Sequence, residues 1–170
     1  MKSDVRRTFS VFLLLFSFIF LFSCGKETSY ADGIPCRELM TLAEEKAPSD
    51  LGYTDFGETQ ILYEFGDLFA CDDFCLRYST RSENINEIGI LHTRSEEEAE
   101  AVEETIRSYL ARMEEEQSAF IGSYAPEELP KLEKASIRRL GNYTVYMILS
   151  EEDQAAVLEA LHQRLSSPQP

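Results

Sequence analysis

Two cysteines four residues apart, in Cys71-Asp72-Asp73-Phe74-Cys75, together with Cys36 upstream, form the densest cluster of reactive side chains beyond the N-terminal region. Fully extended, that stretch separates the Cys71 and Cys75 Cα atoms by ~13 Å, beyond the roughly 4–7 Å that a disulfide spans. A Cys71–Cys75 disulfide therefore needs a turn at Asp72-Asp73, which those residues permit. A pairing with Cys36 and three free thiols are the alternatives. Zinc is disfavoured, because the paired Cys-x-x-Cys spacing is missing and neither histidine is close in sequence. No metal and no cofactor is expected.

His92 closes an alternating stretch that begins at Glu87, and an imidazole beside a carboxylate is what a general base would need. A half-exposed residue at a strand end is the plainer reading of His92, and His162 reads as solvated. Gly-x-Ser-x-Gly, His-Glu-x-x-His, Gly-x-Gly-x-x-Gly and P-loop patterns do not occur. Glu87 and His92 are thus weak catalytic candidates in a chain that reads as non-catalytic. The runs Glu96-Glu97-Glu98 and Glu114-Glu115-Glu116 lack the alternating ligands of a calcium loop and read as solvated faces. Tyr53, Phe56, Tyr63, Phe65, Phe69 and Phe74 are aromatic positions amid acidic residues. They read chiefly as core, with a sugar-binding cleft as the alternative.

A third kind of chemistry is written at the N-terminus. Residues 1–7 are a basic head, and Thr8 to Phe22 is an apolar run of 15 residues. As a helix that run would span roughly 22 Å, short of the ~30 Å hydrocarbon core, which suits a signal-peptide h-region. It ends in Leu21-Phe22-Ser23-Cys24-Gly25, which resembles a bacterial lipobox: an aliphatic residue three before the cysteine, a small residue one before, then the Cys. Diacylglycerol is transferred to such a thiol, and a membrane peptidase then cuts between Ser23 and Cys24. Phe22 departs from the small residue usual at that middle position. Acyl chains such as palmitate on one Cys satisfy the two-signal requirement for stable anchoring. An uncleaved signal anchor is the alternative.

The charge balance fits a domain held near a membrane by its lipid alone. The 170 residues carry 31 Asp+Glu against 16 Lys+Arg, a formal net charge of −15, and no Trp. The leader holds three basic residues and one acidic one, so residues 24–170 carry 13 against 30, a net of −17. Phosphate-mediated nucleic-acid binding needs the opposite sign, as does electrostatic docking onto anionic lipid.

The remaining sequence must supply elements to position these residues. Residues 25–33 are polar and aperiodic and read as a tether after the lipidated Cys24. A single domain over 34–165 and a disordered tail over 166–170 complete the expected organisation. A first helix is expected from Pro35 to about Ala47, with Leu39, Ala43 and Ala47 on one stripe. Residues 49–58 read as loop, and 60–65 as a helical turn closed by Gly66. Residues 74–78 and 87–93 alternate as strands, with Ile88, Ile90 and His92 on one face. A helix is expected from Glu96 to about Ile121, capped by Ser95 with Glu98. Its apolar stripe is Ala99, Val102, Ile106, Leu110, Met113, Gln117 and Phe120. A further turn at 129–134 precedes a hairpin of 135–140 and 143–149 about Gly141-Asn142. Ser150 caps a last helix to about Leu165. The expected fold class is α+β: an antiparallel, four-stranded sheet with helices on one face, in the order α-β-β-α-β-β-α.

Several of these features in order resemble an uncharacterised domain-of-unknown-function family of Gram-positive (Firmicutes) bacterial lipoproteins. They are Phe65-Gly66, Glu87-Ile88-x-Ile90, a long helix with Arg112 and Gln117, Tyr124-x-Pro126, and Gly141-Asn142-Tyr143, over roughly residues 60–160. The resemblance implies a secreted, anchored domain with no assigned activity and no catalytic residues to carry over. It also implies occurrence beside membrane acyltransferases that modify envelope polymers. The expected function is a membrane-anchored extracytoplasmic binding or scaffold domain on the outer face of the cell membrane, with a protein partner at the envelope. The alternative is an accessory subunit or enzyme of wall-polymer modification using Glu87 or His92.

Overall fold

The computed structural model describes residues 30–50, 52–66, 68 and 70–166. The leader, Ser23 and Cys24, Phe69 and the last four residues lie outside the described residues. Ten elements follow in order: α1 (Cys36–Lys46), β1 (Tyr53–Asp55), α2 (Glu58–Phe65), β2 (Asp73–Ser79), β3 (Glu87–His92), α3 (Glu96–Tyr124), α4 (Leu129–Glu133), β4 (Ser136–Leu140), β5 (Tyr143–Ile148) and α5 (Glu151–Ser166).

The class is α+β, and the strands form one antiparallel sheet in the order β1-β2-β3-β5-β4. It has five strands rather than four. The added strand, Tyr53-Thr54-Asp55, lies within the stretch read as loop and pairs with Ser79, Tyr78 and Arg77. Three residues between two glycines carry too little alternation to announce a strand; β2 supplies the partner.

Helices cover both faces, not one. Ile88 and Ile90 of β3 and Tyr143, Val145 and Met147 of β5 face Leu39, Met40, Val157 and Leu161 of α1 and α5. On the reverse face Leu76, Leu91 and Tyr146 meet Phe65, Val102, Ile106 and Tyr109 of α2 and α3. Every residue of β5 is buried, as a central strand between two helical layers requires. Burial on this scale, at ~25 cal/mol per Å² of apolar area, is the main force holding the three layers together.

Local signals explain the boundaries. Ser95 Oγ accepts from Glu98 N–H at 3.2 Å, while the Glu98 carboxylate reaches back to Arg94 N–H at 2.8 Å, one residue before the expected box partner. Ser150 Oγ accepts from Asp153 N–H at 3.1 Å to start α5. Gly141, at φ +62°, makes the two-residue turn between Leu140 and Tyr143. Helix α3 buries Ala99, Val102, Ile106, Tyr109 and Ile121, whereas Phe120 is exposed. The expected stripe drifts because a seven-residue spacing loses ~20° per two turns against 3.6 residues per turn.

Residues 30–33, read as the end of a tether, lie against the domain. Ala31 N–H donates to the Leu165 carbonyl at 2.6 Å. Ile34 N–H donates to the Tyr143 hydroxyl at 2.7 Å, and that hydroxyl donates to the Ile34 carbonyl at 2.8 Å.

Candidate functional site

The two weak catalytic candidates sit at opposite ends of β3. Five residue steps separate Glu87 from His92, about 17 Å at ~3.4 Å per residue. They also point to opposite faces, since an odd number of steps along a strand reverses the side chain. No single cleft holds both.

Glu87 is a buried carboxyl between two phenols. Tyr146 donates to its Oε1 at 2.6 Å and Tyr109 to its Oε2 at 2.8 Å. Burial pushes the Glu87 carboxyl up to about 7 against the opposing effect of those two donors, and nearby Glu64 adds to the rise. Both phenols are held above their ordinary value, first by burial and then by the Glu87 charge. Glu64 is itself held by Arg112, whose Nη2 donates to Glu64 Oε2 at 2.6 Å. Arg112 also lies 5.9 Å from the Tyr109 ring centroid. Gly89 makes this arrangement possible. It pairs with Tyr146 across the β3–β5 ladder, and a Cβ at Gly89 would fall 1.9 Å from Tyr146 Cε1. A general base must reach the proton it abstracts; Glu87 is 4% exposed beneath these rings. Its chemistry is confined to the core.

His92 is the centre of a surface cluster. Asp72 Oδ1 lies 2.5 Å from Nδ1, and Asp32 Oδ1 lies 2.5 Å from Nε2. The carboxylates are braced in turn, with Arg94 Nε donating to Asp72 Oδ2 at 3.0 Å and Asn142 Nδ2 to Asp32 Oδ2 at 3.2 Å. The ring centroid is 4.7 Å from that of Tyr143. Partial burial opposes its charge, but the two carboxylate hydrogen bonds outweigh that, and the imidazole is held above its ordinary value. The hydrogen bonds from His92 hold Asp32 and Asp72 below the usual carboxylate range. An imidazole with both nitrogens committed to carboxylates has no lone pair for a substrate proton. The cluster ties Asp32 to the end of the sheet.

Cys36, Cys71 and Cys75 are free thiols. Cys75 packs with the α1 and α5 layer, whereas Cys71 lies against the cluster on the other face. Burial raises all three, Cys71 to about 12 and Cys75 to about 11, with Asp73 adding to the rise of Cys36. No group of three or more His, Cys, Asp or Glu side chains among the described residues is arranged to hold a metal ion. Of the aromatic stretch, Phe56 and Phe65 are core, while Tyr63 is exposed and stands beside Arg112 rather than lining a cleft.

Sequence spacing missed Asp32, hidden in a polar segment, and Tyr109 and Tyr146, which carry no signal beyond ordinary core positions. Asp72 was visible only as a turn residue between cysteines. No helix among the described residues is long and apolar enough to cross a membrane. No curated protein and no solved structure matches the chain. A family model for a domain of unknown function, DUF4358, matches residues 56–149, from the buried Phe56 through the whole of β5. That match spans more than half of the chain and encloses both Glu87 and His92, and the chain therefore belongs to the DUF4358 family.

Proposed function

We propose that the chain is an extracytoplasmic lipoprotein, anchored in the cell membrane through acylated Cys24, whose domain binds a protein partner at the envelope. The observation that carries this reading is Leu21-Phe22-Ser23-Cys24 at the end of a short apolar run after a basic head. Two features favour binding over catalysis. The buried Glu87 is sealed beneath Tyr109 and Tyr146, and His92 spends both nitrogens on Asp32 and Asp72. The acidic domain would be repelled by anionic lipid, so the covalent lipid must supply the attachment. Metabolic labelling with an alkyne fatty acid tests the anchor. The label is expected on the wild-type chain and absent from Cys24→Ala. Label that survives the substitution overturns the anchor.

A further inference from the structure

With both faces of the sheet covered, its exposed backbone lies at its edges, and the two edges differ. Edge strand β1 has three residues, and its Tyr53 carbonyl accepts from Arg77. Edge strand β4 has five residues and runs along a groove of about 660 Å³ between α3 and α5. Short edges are self-protecting; longer ones are templates for another strand.

The register says which backbone groups are free. A two-residue turn closes on a hydrogen-bonded pair, here Leu140 with Tyr143, and such pairs then alternate along the ladder. Arg138 and Ser136 therefore bond to β5, while the N–H and C=O of Ile137 and Arg139 point outward. The Arg138 side chain agrees: its Nη1 donates to the outward Ile137 carbonyl at 2.9 Å. No other element among the described residues pairs with this edge. Hydrogen bonds fix side chains on both walls of the groove. Gln154 of α5, itself buried, accepts from Ser136 Oγ at 2.6 Å and donates to the carbonyls of Lys134 and Leu149, both at 3.0 Å. On the α3 side Arg139 is fixed by Glu103 at 2.8 Å.

Charge selects the occupant. Among the described residues every arginine except Arg138 has a carboxylate partner. Arg138 thus stands exposed and unpaired at the middle of the open edge. A second copy of this chain is a poor occupant, because the two-fold register that pairs all five residues sets Arg138 against Arg138. We infer that the open edge of β4 receives an extended segment of a partner protein by strand addition, with a carboxylate of that segment opposite Arg138. The added strand takes the outward groups of Ile137 and Arg139, and its carboxylate replaces the Ile137 carbonyl as the partner of the Arg138 guanidinium.

This rests on the binding-domain reading, and its test is separable from it. The probe is a capped seven-residue peptide of alternating Val and Thr with one central Glu, titrated into the domain under amide NMR. Saturable shifts and slowed exchange are expected at Ile137 and Arg139. Binding should weaken at least about tenfold with Lys in place of the Glu, and the preference should reverse on Arg138→Glu. Unmoved Ile137 and Arg139 amides, or equal binding of the Glu and Lys peptides, would overturn the inference. So would concentration-dependent protection of these amides without peptide, which would mean that a second copy is the occupant. A photo-crosslinker at Ala155, which lines the same groove and leaves Arg138 in place, with a second at Lys46 on α1 of the anchored chain, separates the two failures. A partner captured only through Lys46 keeps the binding domain and removes the β4 edge.

Discussion

The Tyr146 hydroxyl donates to Glu87 Oε1 at 2.6 Å in a part of the core where Tyr146 is fully excluded from solvent and Glu87 nearly so. A phenol can satisfy a carboxyl there without neutralising it, so the charge state of Glu87 is left to pH.

That places a sign on the pH dependence of folding. The Glu87 carboxyl is raised from 4.5 to about 7 by burial. Its contribution is complete below about 4.5 and is lost as pH rises through about 7. Wild-type stability in urea should fall by roughly 2–3 kcal/mol between pH 5 and pH 8 through this one group. Glu87→Gln keeps a partner for each phenol and cannot ionise. It should remove that share of the slope, leaving the smaller part due to His92, and exceed the wild type at pH 8. A wild-type curve that is level from pH 5 to 8 would show that Glu87 is not held protonated.

Gly89→Ala should be among the most damaging single-methyl changes in the chain. The new Cβ would meet Tyr146 Cε1 at 1.9 Å, so the ring must move and give up its bond to Glu87. Overpacking of this kind costs about 1–3 kcal/mol, and here a lost buried hydrogen bond adds about 1 more. The expected loss is thus about 3 kcal/mol by denaturant unfolding. A companion change of Tyr146→Phe, which removes the bond and keeps the ring, should cost distinctly less. Equal losses would mean that the close approach is not the cause.

At the opposite end of β3, His92 fastens residues 30–34. Its raised value means that the fastening is present at low pH and released as pH rises through the folded value; Asp32 and Asp72, held low, lose their part only in strong acid. His92→Gln should speed amide hydrogen exchange of Ala31 and Ile34 by about tenfold at pH 6 and leave the Glu87 end unchanged. Exchange that is unaltered at Ile34 would show that His92 does not fasten the segment, which Tyr143, Leu165 and Asn142 would then hold without it.

Cys36, Cys71 and Cys75 should resist alkylation in the folded domain. All are raised by burial, so the thiolate fraction at pH 8 is small. Iodoacetamide at pH 8 should label them only after denaturation. Rapid labelling of Cys71 in the native state would mean that residues 70–72 open.

What could be read from the chain beforehand was what is local. The Gly141-Asn142 turn, the Ser95 and Ser150 caps and the alternation of Ile88, Ile90 and His92 all depend on neighbours in sequence. The second helical layer did not declare itself, because a strand that is apolar on both sides, such as β5, shows its alternation on one face only by chance. Strand β1 exists because β2 offers it a partner. The site suffered in the same way: Glu87, Tyr109 and Tyr146 come from three elements, and nothing in their spacing brings them together. The inward glycine at 89 was the one available hint of a close approach.

The hydrogen bond between Ala31 and Leu165 sets the beginning and end of the fold side by side. In topological terms the domain is nearly a ring. Joining the two ends and cutting instead at the exposed residues 82 and 83 would leave every strand ladder uncut, so such a circular permutant should fold. A cargo fused beyond α5 would depart from the same pole at which the chain comes in, and the pole around Glu87 would stay unencumbered.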